Sequence, residues 1–89
     1  MEVGLFFTFR NPPPWRRDPA QLYADTMAQV RLADEAGFDA VWMGEHHFTD
    51  DGFAPALMPL AAAVAAVTTR VQIGTDVLLL PQHHPVRLA

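Results

Sequence analysis

Apolar and polar positions along the chain fall into short runs punctuated by proline and glycine, and the spacing within the runs alternates between two periods. Val3 to Phe9 is a compact stretch rich in Phe and Val that reads as a strand. Pro12, Pro13 and Pro14 stop any ladder there, because proline has no N–H to donate. Arg10 to Arg17 is therefore a loop, a stiff connector for which a polyproline ligand is the competing reading. From Asp18 the period becomes helical. Asp18 can accept from unpaired N–H groups, Pro19 suits the first helical position, and Gln21 can reach back as in a capping box. Leu22, Met27, Val30 and Ala33 recur on one face, with Gln21, Asp25, Arg31 and Glu35 mostly opposite. The helix runs to about Ala36, and Gly37 supplies a left-handed cap.

Phe38 to Phe48, FDAVWMGEHHF, contains a second apolar run, which has the length of a buried strand. Thr49-Asp50-Asp51-Gly52 is a turn sequence. Pro55 opens a second helix, Ala56 to about Thr69, which tolerates Pro59 because it lies in the first turn. Alanine and valine fill most of it, so both its sides are expected to be covered, one by the sheet. Val71 to Thr75 is a third strand, expected to continue through Val77 to Leu80 before Pro81. His84-Pro85 then leads into the first turn of a third helix. Strands alternating with helices at this spacing define an α/β chain of βαβ units with a parallel sheet, about three strands and two complete helices.

In such sheets chemistry sits at the carboxyl ends of the strands, where Glu45, His46 and His47 follow the central run. Strand side chains alternate, so His46 shares a face with Gly44, Trp42 and Ala40, while Glu45 and His47 share the other with Met43 and Val41. The corresponding phase on the first strand turns Gly4, Phe6 and Thr8 to the His46 side. Histidine can give or take a proton near neutrality, and two beside a carboxylate suit acid–base work as well as a hydrogen-bond network. Gly4, Gly44 and Gly74 place one glycine on each strand, which marks close approach of a ligand or of another part of the chain.

Composition narrows the field. The 89 residues carry a formal charge of −4 and no cysteine, which excludes disulfides, thiolate metal sites and a Cys nucleophile and fits a reducing cytoplasm. Six basic residues form no extended basic face, so nucleic acid is not an expected partner. No apolar stretch has membrane-spanning length, and Glu2 sits where a signal peptide would be basic. Phosphate-loop and dinucleotide glycine motifs are missing. Glu45, His46, His47, Asp50, His83 and His84 are metal-ligand types, which keeps a metal-dependent barrel hydrolase as an alternative. Adjacent strand residues point opposite ways, however, so His46 and His47 cannot easily share one ion.

Gly37-Phe38-Asp39-Ala40-Val41-Trp42, Gly44-Glu45-His46-His47-Phe48, Gly74-Thr75, Leu80-Pro81 and His84-Pro85-Val86-Arg87, in that order, resemble the amino-terminal quarter of bacterial-luciferase-like flavin-dependent monooxygenases. The resemblance implies the first part of a single TIM-barrel domain over residues 1–89. It also implies chemistry in which reduced FMN and dioxygen oxidise an aldehyde or similar small molecule, with a deazaflavin as the alternative cofactor. A flavin reductase would supply the reduced flavin. By position, His46 matches the family's catalytic histidine, with Glu45 and His47 orienting it. Phe6 and Thr8 match positions near the flavin ring or substrate, and core packing is their competing role. The resemblance places a bulge with a non-proline cis peptide among Thr75, Asp76 and Val77, where Asp76 departs from the expected small or apolar residue. The alanine-rich second helix matches the family's homodimer interface, and His83 and His84 fall outside the catalytic set. A TIM barrel needs ~250 residues, so this stretch is expected to be part of a longer product and inactive alone. A flavin-free partner subunit or pseudoenzyme remains the non-enzyme alternative.

Overall fold

The computed structural model describes residues 1–89. Three short strands, β1 (Gly4–Phe7), β2 (Ala40–Met43) and β3 (Gln72–Thr75), alternate with helices α1 (Pro19–Ala36), α2 (Leu57–Val67) and α3 (Pro85–Leu88). The strands form one parallel sheet in the order β1-β2-β3, with Leu5, Val41 and Ile73 in register across it and Phe6, Trp42 and Gly74 in the next row. At the opposite end from the histidines, Asp39 ties the three strands together. Its carboxylate accepts from Val3 N at 2.7 Å, its N–H donates to Val3 O, and its carbonyl accepts from Gln72 N.

The α1 boundaries follow the capping chemistry. Asp18 accepts from Gln21 N at 3.0 Å, Pro19 opens the helix, and Gly37 closes it at φ 88°. The reciprocal half of the capping box does not form. The Gln21 side chain donates forward to Asp25 at 2.7 Å instead, one helical turn along the exposed face. In α2, Leu57, Leu60 and Val64 are buried at helical spacing, while Met58, Ala62 and Ala65 remain exposed. These helices cover one face of the sheet. Val30 from α1 and Leu57, Leu60 and Val64 from α2 enclose Val41 and Met43, with Phe9, Ala54 and Val71 completing the core. The opposite face is open, and the outer edges of β1 and β3 are unpaired.

The third strand is shorter than expected. It ends at Thr75, and Val77 to Leu80 leave the sheet, passing into a 3-10 turn at Leu80–Gln82. Asp76 N to Met43 O and Glu45 N to Val77 O are the last rungs, and the Asp76–Val77 peptide is cis. Helical spacing also places a carboxylate on the core side of α1 that hydrophobic periodicity passes over. Buried Asp34 accepts from Thr69 N (2.8 Å), Thr69 Oγ1 (3.0 Å), Arg70 N and Val71 N (both 2.9 Å), fastening α1 to the start of β3. The Thr69, Val71 and Arg70 donors hold its carboxyl below the usual range, against the opposing effect of burial.

Two consequences are measurable. Asp34→Ala is expected to lower the denaturant midpoint, and Asp34→Asn to recover part of it, since an amide oxygen serves fewer of the donors. Because the native carboxyl is depressed, this stabilisation is complete above the unfolded-state pKa and is lost as pH falls through the native one. The wild-type and Asp34→Ala midpoints should therefore converge in acid. A methyl group at Gly74 would overlap the Trp42 ring, so Gly74→Ala should cost about 1–3 kcal/mol, and much of that should vanish in a Trp42→Ala background, read by a double-mutant cycle.

Candidate functional site

Three non-glycine residues take left-handed backbone angles, and all lie past the carboxyl ends of strands: Phe9 (φ 55°), Phe48 (φ 58°) and Ala54 (φ 42°). Such angles persist where surrounding structure enforces them. Phe9 and Ala54 are locked in the core, and the adjoining loops are cross-linked. Arg10 Nε pairs with Asp51 Oδ2 at 2.6 Å, Asn11 N donates to Asp51 O at 2.7 Å, and Arg16 pairs with Asp50 at 3.0 Å. Thr49 and the Arg10 guanidinium hold the Asp51 carboxyl below its ordinary value. The basic residues of the proline loop thus meet the acidic turn that follows the histidines.

The expected alternation holds through the end of β2. Val41, Met43 and Glu45 are buried on the helix side, while Trp42 and His46 are exposed on the other. His46 is fixed twice by Phe53. Its N–H donates to Phe53 O at 3.2 Å, and its imidazole stacks on the Phe53 ring with centroids 4.2 Å apart and planes 18° from parallel. The Arg10 guanidinium lies 5.8 Å from the centroid of the same Phe53 ring.

Glu45 takes a different course. Its side chain is only 1% exposed, and both oxygens are engaged. Oε1 meets His47 Nε2 and His83 Nε2 at 2.8 Å each; Oε2 accepts from Leu79 N at 2.7 Å and lies 2.9 Å from His83 Nε2. Burial pushes the carboxyl up, but the bonds from His83, His47 and Leu79 together outweigh it and hold the group ionised below the usual carboxylate range. An ionised carboxylate only accepts, so both imidazoles carry their proton on Nε2.

Two adjoining recesses open on the His46 side and share Asp76. One, about 530 Å³, is lined by Gly4, Phe6, Trp42, Thr75 and Asp76. The other, about 360 Å³, includes Glu45, His46, His47, Phe48, Asp76, Val77 and Leu79. Of the residues expected at a cofactor, Phe6, Thr75 and Asp76 line the first recess, and Glu45, Asp76 and Val77 line the second with His46. Thr8 lies half-buried beyond β1 and lines neither recess. The strand glycines make room for neighbours: a methyl at Gly4 would reach Trp42 Nε1 at 2.9 Å, and one at Gly44 would reach Asp76 O at 2.9 Å. His84 caps α3, accepting from Val86 N at 3.3 Å, whereas His83 joins Glu45, an assignment that its place beside a helix start concealed. No group of three or more His, Asp and Glu side chains has an arrangement able to hold a metal ion.

On the face of the sheet away from the helices, Phe6 (46%), Trp42 (42%) and Val77 (57%) are exposed within residues 1–89, on the same side as the His46 imidazole. That combination suits a flat, largely apolar ligand rather than a compact charged one. Polar side chains gathered at the carboxyl ends of a parallel α/β sheet are the layout that TIM barrels and doubly wound sheets share. The sequence profile of luciferase-like monooxygenases matches residues 1–89, and the chain belongs to that family. It is 33% identical over 87 residues to the alkanal monooxygenase alpha chain of Photorhabdus luminescens, covering 98% of this chain and 24% of that one. It is 36% identical over 69 residues to the oxygenase component of the flavin-dependent trigonelline monooxygenase of Acinetobacter baylyi, covering 78% and 19%. Among solved structures, the FMN-bound oxygenating constituent of 3,6-diketocamphane monooxygenase from Pseudomonas putida superposes with a TM-score of 0.81 at 30% identity, over 99% of this chain and 24% of that one. The chain thus spans about a quarter of the length of these relatives and corresponds to the amino-terminal part of their barrel. No helix is long and apolar enough to cross a membrane.

The stacking of His46 on Phe53 should be measurable by itself. A His46→Ala/Phe53→Ala double-mutant cycle in denaturant is expected to give a coupling of about 0.5–1.5 kcal/mol, and a coupling near zero would mean that the rings do not hold one another.

Proposed function

We propose that the protein carrying this chain is a flavin-dependent monooxygenase that uses reduced FMN and dioxygen to oxidise a small organic molecule. Residues 1–89 are the first part of its single barrel domain and are inactive by themselves. The observation that carries this reading is His46 at the carboxyl end of β2, its imidazole stacked on Phe53 and lining a recess with Asp76 and Val77. When bound, the reduced flavin supplies the electrons that activate dioxygen. Phe6, Thr75, Asp76 and Val77, which line the two recesses, are the residues we assign to contact with the ring and to exclusion of water from it. An imidazole nitrogen of His46 gives or takes the proton at the reacting centre. Glu45 orients the strand end from behind, and Thr8 contributes only through packing.

The FMN of the camphane-oxidising neighbour favours FMN over a deazaflavin. The naming of the trigonelline enzyme as an oxygenase component supports a separate reductase as partner. The need for reduced flavin favours a cytoplasmic location. The exposed small side chains of α2, Ala62 and Ala65 beside Met58, are the surface we assign to a homodimer contact.

The test is a flavin titration of the gene product that contains residues 1–89, followed by absorbance and fluorescence quenching, beside His46→Ala. The wild type is expected to bind FMN and turn over with oxygen. His46→Ala should bind within roughly threefold but lose about 10²–10⁴-fold in turnover. Failure to bind either FMN or a deazaflavin would exclude the proposal in favour of a flavin-free subunit.

A further inference from the structure

The segment after β3 forms one wall of the recess at His46, yet little of it belongs to the sheet. Beyond Val77, the backbone hydrogen bonds of residues 78–83 are local: Leu80 N to Leu78 O, Gln82 N to Leu79 O and His83 N to Leu80 O. Every hydrogen bond that ties these residues to another part of the chain ends on the carboxylate of Glu45. His47 sits two residues from Glu45 and closes nothing. Leu79 and His83 lie 34 and 38 residues away, so their bonds fix tertiary structure. His83 Nε2 straddles both oxygens and is itself mostly shielded from water, with 23% of its side chain exposed. Charge-assisted hydrogen bonds in such a setting are stronger than those on a surface. Leu78 also packs on the core, and apolar contact of that kind is non-directional.

We propose that Glu45 and His83 are a positioning pair that clamps residues 78–83 to the end of β2 and thereby fixes the wall against which the bound ring lies. The ligand in this statement rests on the flavin reading, whereas the clamp does not. The ionisable groups facing Glu45 are His47 from its own strand end and His83 from the clamped segment, and Asp76 lines the same recess. Ionised Glu45 accepts all these donors. Protonated Glu45 does not, so the clamp holds above the native pKa of the carboxyl and opens as pH falls through it.

Amide hydrogen exchange without flavin reads the clamp directly, in the gene product containing residues 1–89. His83→Leu, which removes the donor, should speed exchange at Leu79 by about tenfold or more while Val41 and Met43 keep their protection. His83→Gln, which restores an N–H donor, should return exchange to within about threefold of wild type. The wild type is expected to lose Leu79 protection, taken relative to the intrinsic exchange rate, as pH falls, and Glu45→Gln should abolish that pH dependence. FMN affinity is then measured on the same proteins and should weaken in His83→Leu and recover in His83→Gln. Unchanged Leu79 exchange in His83→Leu overturns the clamp whatever FMN does, and so does tight zinc binding that His83→Leu abolishes, because the cluster would then be a metal site. Wild type that binds no flavin sinks the flavin reading and leaves the exchange result standing.

Discussion

Pairing of β2 on both edges is the constraint from which the rest follows. Bonded to β1 on one side and β3 on the other, its backbone cannot rotate, so consecutive side chains must point to opposite faces. Val41, Met43 and Glu45 go to the helix side, and Trp42, Gly44 and His46 go to the open side. One strand therefore builds the core and the site together. A slip of one residue would bury His46 and expose Met43.

Two buried carboxylates complete what the ladder leaves unfinished. Asp34 gathers Thr69, Arg70 and Val71 just before β3 begins, and Glu45 gathers Leu79 and His83 just after it ends. A carboxylate offers several lone pairs within a small volume, so it can satisfy a cluster of backbone N–H groups that no single carbonyl could. Burying such a charge is unfavourable unless its acceptor sites are filled, and here they are filled by segments about 35 residues distant. The same four-residue strand is thereby anchored at both ends by side chains from other elements.

The open face follows a different logic, in which space rather than charge is limiting. The indole of Trp42 lies across the sheet between Gly4 and Gly74, where any side chain would collide with it, and Gly44 lets the Asp76 carbonyl approach. Small residues on this face leave a shallow floor of Phe6 and Trp42 beside His46. Loops at the strand ends are held by Arg10 on Asp51 and by the stack of Phe53 on His46, so the imidazole is presented by a braced surface rather than by a free strand end.

Much of this was legible in the chain. The βαβ order, the caps at Asp18 and Gly37 and the alternating phase that exposes His46 all follow from local periodicity and from residues whose conformational preferences act within a few positions. The family likeness added the location of the cis peptide at Asp76–Val77. What sequence reading missed has a common cause. The roles of Asp34, Phe53 and His83, the forward turn of Gln21 toward Asp25 and the early end of β3 depend on which groups come within hydrogen-bonding or stacking distance after folding. A carboxylate on an amphipathic helix and a histidine in the loop ahead of a helix carry no local mark of the partner that will occupy them. The sequence by itself determined the elements and the face on which each side chain stands, because these are set by backbone geometry over short range. Only the tertiary structure decided the partners of the buried charges, because those are chosen by what the packed core brings within about 3 Å.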